Sequence, residues 1–344
     1  MRLYDEFAHH VARLLTRSPA YQTTGSTIHT IINPKSGLFS HKDRLRRSVE
    51  ALEARAALIS TPETETKRPF QLHLSEYPGH ATNLVEHIVS DSGRRTMLIS
   101  AGGDGTHKDV LSGLVAASLD RPEMCSVFRL PAGTGNDGAD CATLSEAFEL
   151  LPRLSDTTQH GALEIRTADG QRYYAFNIAS FGLDAYVAHI TNRLRNGLLG
   201  NMYTLVADLA TLFYVPVYGI PRTTLHVTRP DGSTHRSQQQ YALVAFGVSG
   251  HRRYGGDKPI LPQHENLVAI ELPGFFGRIK LKRHVYRGTH VHDPEVHLDS
   301  MAAMVIECED RLPFQFDGES MWLEPAAFPV TVRRIDSAWH GLRP

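Results

Sequence analysis

The sequence predicts an α/β chain in two parts, and three observations predict it. Short apolar strands alternate with amphipathic helices up to about residue 155, the pattern of a parallel sheet with covering helices. Beyond Ser155 the helices thin out and short strands joined by Asp-Gly turns take over. A chain of 344 residues is long enough for two cores. An open α/β domain followed by a mostly antiparallel β-sandwich domain is therefore expected.

The first elements follow from periodicity. Leu3, Phe7, Val11 and Leu14 predict a short amphipathic helix. Asp5, Glu6, His9, His10 and Arg13 break any signal-peptide core there. Residues 18–26 read as a polar linker. A strand over 27–33 ends in Asn33-Pro34-Lys35-Ser36-Gly37, a turn offering a lysine, a hydroxyl and a glycine. A helix over 41–58 has Leu45, Val49, Leu52 and Ala56 on one face. Residues 60–68 form a polar loop, 69–74 a strand, and 79–91 a helix with Ala81, Leu84, Val85 and Ile88 inward.

Two glycine-rich turns come next, each after an apolar strand. The strand 96–100 runs into Gly102-Gly103-Asp104-Gly105-Thr106, before a helix with Val110, Leu111, Leu114 and Val115 on one side. The strand 126–130 runs into Gly133-Thr134-Gly135-Asn136-Asp137, before a helix over about 144–154. Glycines let backbone approach a phosphate closely, and N–H groups at a helix start favour an anion. Thr106 and Thr134 add hydroxyl donors. Asp104 and Asp137 would repel phosphate, so they suit magnesium or the proton of an attacking hydroxyl.

In the second half, strands over 163–167 and 172–180 flank Ala168-Asp169-Gly170, and helices follow at 184–194 and 201–213. The second, with Met202, Leu205, Val206, Leu209, Leu212 and Phe213, reads as core. Strands over 223–228 and 239–247 flank Pro230-Asp231-Gly232-Ser233. More follow at 267–272, 296–298, 303–309, 314–316 and 330–334.

Composition excludes some classes. Lys plus Arg is 36 against 37 for Asp plus Glu, without the basic excess of a nucleic-acid binder. Cys125, Cys141 and Cys308 form no spacing motif and fit a reducing cytosol. The most apolar stretch, 202–220, contains Asp208 and Pro216 and is no membrane span. The 19 histidines complete no zinc pattern, although His290 and His292 would share a strand face. Residues 272–292 lack acids and carry Arg278, Lys280, Lys282, Arg283 and Arg287 with Phe275, Phe276 and Tyr286. A solvated charged face is the plainer reading, a membrane-facing patch the sharper one.

Taken together, the turns at 33–37, 102–106 and 133–137 resemble the diacylglycerol kinase catalytic-domain family, which includes soluble bacterial lipid kinases and sphingosine and ceramide kinases. Asn177 to Asp184 matches that family's Asn-x-x-x-x-Gly-x-Asp segment. Tyr254-Gly255-Gly256 before Pro259, and Phe316-Asp317-Gly318-Glu319, match later ones. The resemblance covers about 27–335. It implies an NAD kinase- and phosphofructokinase-like first domain over 27–155 and a β-sandwich over 156–324, with 325–344 returning to the first and 1–26 preceding it. It implies an ATP- and magnesium-dependent lipid kinase with ATP in the cleft between domains, a cytoplasmic location, contact with a lipid substrate at a membrane surface, and room for a homo-oligomer.

By the same resemblance, Asn33, Lys35, Ser36, Gly102, Gly103, Gly105, Thr106, Gly133, Thr134 and Asn136 would hold ATP. Asp104, Asp137 and Glu319 would form the acidic cluster, with the base either Asp104 or Glu319; Asp104, Asp137 and Glu265 are candidate metal ligands. The sequence departs from the family twice. Gly138 stands where an aromatic is usual, and Glu265-Asn266 stands where an Asp-Gly pair is usual, with Asn266 tolerant of a left-handed turn. Two further readings stay open: a kinase of a soluble hydroxyl compound such as NAD, and a nucleotide- or lipid-binding regulator without turnover.

Overall fold

The computed structural model describes residues 2–59, 70–134, 136, 138–195, 219–254, 258–274, 277, 281, 283–285 and 287–344. The expected loop 60–68, helix 201–213, Gly135, Asp137, Gly255-Gly256 and much of the 275–286 patch lie outside them. The chain divides into two units, Met1–His160 with Ser337–Pro344, and Gly161–Asp336.

In the first unit, α1 (Arg2–Leu15) and α2 (Pro19–Thr24) precede β1 (Thr27–Ile32), α3 (Lys42–Ile59), β2 (Phe70–Leu74) and α4 (His80–Asp91). Then come β3 (Thr96–Gly102), α5 (Asp104–Ser118), β4 (Cys125–Pro131) and α6 (Leu144–Leu150). The strands run parallel in the order β2-β1-β3-β4. Their register is flush: Ile32 faces Leu74 and Ala101, and Gly102 faces Pro131. The loops after β1, β3 and β4 therefore leave one edge side by side, where open α/β sheets bind ligands.

Alternation along the strands sorts the two faces. Ile28, Ile32, Met97, Ile99, Ala101, Phe128 and Leu130 join one core with α1, α3 and α6. Leu98 and Ser100 point the other way, and Ser100 meets His107 of α5. Residues 18–26, expected as linker, instead hold α2. Ser18 Oγ caps the Tyr21 N–H, Pro19 occupies the first turn, and left-handed Gly25 stops the helix. Ser-Pro at the start and Gly at the end are ordinary helix punctuation, and buried Ala20 and Tyr21 tie it to the core.

The second unit takes over within β5 (Asp156–Arg166). It continues through β6 (Arg172–Ala175), β7 (Ile178–Gly182), α7 (Leu183–Arg195), β8 (Arg222–Thr228), β9 (Thr234–Gly247), β10 (Arg252–Tyr254) and β11 (Lys258–Leu261). The remaining strands are β12 (Leu267–Glu271), β13 (Val296–Asp299), β14 (Ala303–Cys308), β15 (Leu312–Phe316), β16 (Glu319–Leu323) and β17 (Val330–Arg343).

Long β9 belongs to two sheets. Its first half pairs with β8, continuing through β14, β17, β5 and β6. Its second half lies between β7 and β12, with β15, β16 and β13 beyond. Leu163, Ile165, Leu225, Val227, Met304, Ile306, Val330 and Val332 of one sheet share a core with Ala179, Phe181, Val244, Phe246, Leu267, Phe314 and Phe316 of the other. That is the expected antiparallel sandwich. The chain leaves this unit within β17, whose end runs parallel to β4, His340 facing Ser126.

His290 and His292 correct an expectation. They sit in a 3-10 turn rather than on a strand. His290 is fully buried, and its Nε2 lies 3.1 Å from the Ile260 carbonyl oxygen, so it serves as a core polar group.

Candidate active site

At the edge of the first unit, three turns meet backbone to backbone. In the turn after β1, Asn33 Oδ1 accepts from the Lys35 N–H at 2.9 Å, and Asn33 Nδ2 donates to Thr106 Oγ1 at 3.1 Å. Ser36 Oγ donates to the Asn33 carbonyl at 2.9 Å. The asparagine thus shapes its own loop and ties it to the start of α5, leaving Lys35 exposed. A Cβ on Gly37 would stand 3.2 Å from the carbonyl carbon of Gly133.

The turn after β3 has no room for side chains where it bends. A Cβ on Gly102 would fall 2.4 Å from Thr106 Oγ1, and one on Gly133 would fall 2.4 Å from the Gly103 Cα. Gly105 differs, because a Cβ there would meet nothing within 4 Å. No side chain caps α5, so its first N–H groups and the positive end of its dipole are suited to an anion from outside.

Asp104 opens α5 and is exposed. Its Oδ1 accepts from the Gly138 N–H at 2.7 Å and its Oδ2 from the Asn136 N–H at 3.2 Å. Asn136 holds a positive φ of 127°, and its Oδ1 accepts from the Gly133 N–H at 2.8 Å. One carboxylate therefore clasps the third turn while each oxygen keeps a second lone-pair site. Sequence reasoning gave Asp104 a chemical role and missed this clasp. It also explains the bare Gly138, whose Cβ would stand 3.3 Å from Asp104 Oδ1 and 3.8 Å from His107 Cδ2.

Beneath Asp104 lies a polar layer that the sequence did not reveal. His107 is 2% exposed, with Nδ1 2.8 Å from Ser100 Oγ. Burial, aided by the charge of Arg129, pushes its imidazole down to about 3, so it stays neutral. Arg129 itself grips Asp140 through Nε and Nη2, at 3.1 and 2.5 Å, and lies 5.0 Å over the Trp339 ring. The adjacency of His107 to Thr106 was the available signal. Weighing histidines only as metal ligands hid it.

The structure thus brings together Asn33, Lys35, Ser36, Gly102, Gly103, Asp104, Gly105, Thr106, Gly133, Thr134 and Asn136. Glu319 and Glu265 belong to the second unit. Glu319 opens β16, directly after a hairpin turn in which Asp317 and Gly318 have φ of 48° and 83°. Two positive φ values are what Asp-Gly supplies in the tightest hairpins. The Asp317 carboxylate accepts from the N–H groups of Phe176, Asn177 and Ile178, at 2.5, 3.0 and 3.0 Å, fixing the chain just before β7.

Asn266 is not a left-handed turn residue. It is 1% exposed, donates to the carbonyls of Gly247 and Met301, and accepts the Met301 N–H. An aspartate could not make those two donations, which gives this departure from Asp-Gly a packing reason. Glu265 precedes it with one carboxylate oxygen buried and unbonded. Among the described residues, no group of three His, Cys, Asp or Glu side chains could hold a metal.

Residues 27–167 match the diacylglycerol kinase catalytic domain. Over that stretch the chain is similar to the catalytic domain of the diacylglycerol kinase family. A diacylglycerol kinase of Bacillus subtilis (strain 168) is 24% identical over 313 residues, which span 89% of this chain and 93% of that one. A solved diacylglycerol kinase structure from Bacillus anthracis str. Sterne has the same fold, with a TM-score of 0.54 at 14% identity over 93% of this chain and 97% of that one. Another solved chain from the same organism reaches 0.60 at 18% identity with the same coverage. The three turns and Asp104 all lie inside the matched diacylglycerol kinase domain.

Proposed function

We propose that this protein is an ATP-dependent kinase that transfers the γ-phosphoryl group to a lipid hydroxyl, with diacylglycerol as the acceptor class. The observation that carries the reading is the meeting of three glycine turns on adjacent parallel strands around one exposed carboxylate at an uncapped helix start. The matched catalytic domain supports a kinase, and the relatives' names support a lipid acceptor.

In this reading the N–H groups at the start of α5, the Lys35 ammonium and the Thr134 hydroxyl receive the phosphates. Asn33, Ser36 and Asn136 hold the turns in shape. Asp104 sits where a carboxylate can orient an acceptor hydroxyl and take its proton, and its clasp on the third turn fixes its rotamer. Asp137 and Glu319 are further proposed members of the acidic set. Magnesium fits the residues present in one way: it commonly binds through one or two carboxylates plus substrate phosphates and water, and Asp104 has the spare acceptor sites. When bound it would neutralise charge on the phosphates. Among the described residues no helix is long and apolar enough to cross a membrane, and the proposed work is at a membrane surface.

The test is ATP turnover by the purified protein with magnesium against diacylglycerol, sphingosine and ceramide in mixed micelles, and against soluble NAD. Phosphorylated diacylglycerol, at least about 100-fold lower in Asp104→Asn, supports the proposal. Turnover with NAD alone overturns the lipid acceptor. ATP binding without turnover on any of them overturns the kinase reading.

A further inference from the structure

The outer face of one sheet in the second unit carries a charge arrangement that phosphoryl transfer does not use. Glu164 of β5 is 3% exposed. Its Oε1 accepts from Arg166 at 2.8 Å and from Arg172 at 2.6 Å, and its Oε2 from Arg333 of β17 at 2.9 Å. Burial would raise its carboxyl, but hydrogen bonds from Arg166 and Arg333 and the charge of Arg172 outweigh that and hold it below the usual range.

One arginine is enough to neutralise a buried carboxylate. Here three guanidiniums share one, leaving two positive charges in excess. The excess is costly. Arg166 and Arg172 are direct cross-strand partners, a like-charge pairing that destabilises a sheet by itself. Arg172 is further held 5.1 Å over the Tyr174 ring. The guanidinium side chains remain 55%, 37% and 55% exposed for Arg166, Arg172 and Arg333. The outward positions beside them, Thr331, Ala303 and Val305, are uncharged. The result is a preformed cationic fork on a sheet face, with donors turned to solvent and geometry suited to phosphate oxygens.

We propose that Arg166, Arg172 and Arg333 form a docking site for phosphate headgroups of an anionic bilayer. The choice of a lipid source rests on the lipid-kinase reading; the anion chemistry does not. A sheet face can lie along a bilayer, and the excess charge complements an anionic leaflet. Glu164 sets the three forks in place, which lowers the ordering cost of contact.

The test is sedimentation with vesicles of phosphatidylcholine alone and of equal parts phosphatidylcholine and phosphatidylglycerol. Wild-type protein should bind the mixed vesicles only, and less in high salt. The double variant Arg166→Gln/Arg172→Gln leaves Arg333 on Glu164. It should partition roughly 25-fold more weakly, at about five-fold per arginine near a charged surface. The single Arg166→Gln, which loses one bond, should show the five-fold step if the double variant folds poorly. Wild-type affinity in a folded double variant overturns the proposal. A melting temperature raised by inorganic phosphate in wild type but not in the double variant, with equal vesicle binding, makes the ligand a soluble anion and also overturns it. Diacylglycerol turnover in neutral detergent micelles should be unchanged in both variants. Its absence in wild type would strike the kinase reading and leave the vesicle result to decide the headgroup site.

Discussion

A single methyl group separates glycines that neighbouring backbone crowds from one that opens to space. At Gly133 a Cβ would be driven into the Gly103 Cα at 2.4 Å, so Gly133→Ala must push two turns apart. It should cost about 2–3 kcal/mol in urea unfolding and abolish turnover. At Gly105 the added methyl meets nothing, and alanine suits a helix better by about 0.8–1 kcal/mol. Gly105→Ala should therefore unfold at equal or higher urea yet bind ATP more weakly. Unchanged ATP affinity would mean that phosphate does not approach α5 there. At this scale the sequence pointed to residues that the structure brings together at one edge of the sheet. It concealed that Asp104 also clasps Asn136 and Gly138, because that needs the third turn folded back over the second.

Elements are held by polar side chains that sequence patterning undervalues. The end of β17 lies against β4, where Trp339 stacks on His160 at 4.1 Å and under Arg129 at 5.0 Å. Trp339→Ala should cost about 3–5 kcal/mol, read as a lower melting temperature, since a large buried ring leaves a cavity. The β15–β16 hairpin is pinned to the chain before β7 by Asp317, so Asp317→Ala leaves three N–H groups without their acceptor. A loss of about 3 kcal/mol or more is expected by denaturant titration, with the neighbouring Glu319→Gln near wild type in stability. Strand and helix positions were legible from apolar period and turn residues. Helix α2 was not, since its polar surface hides two buried side chains.

Across the whole molecule, several of the 19 histidines serve as core polar groups. His29 Nδ1 lies 3.1 Å from His73 Nε2, and burial with the charge of His73 pushes His29 down to about 4. Burial also lowers His10, His73 and His290, and takes His107 to about 3. The unfolded chain binds these protons from about pH 6.5 downward, while the fold resists them until well below. Stability is therefore full above pH 6.5 and falls as pH drops toward 4 and then 3. Thermal melts across that window should show a steep decline, shallower in His29→Gln. An equal slope in that variant would remove His29 from the groups that drive the decline.

Local chemistry decided what the sequence could decide alone. Strand period, helix faces, Asp-Gly turns and glycine turns after apolar strands are set by nearest neighbours along the chain, and they fixed the two-part α/β and sandwich plan and the Asp104 region. Tertiary structure decided what depends on distant residues meeting. The clasp of Asp104 joins positions 32 and 34 residues apart, and the fork joins Arg166 and Arg172 to Arg333 through Glu164, which lies 169 residues from Arg333. Hydrogen bonds and charge pairs between distant segments leave no periodic trace in a sequence, because either partner alone looks like any other polar residue on a strand or turn.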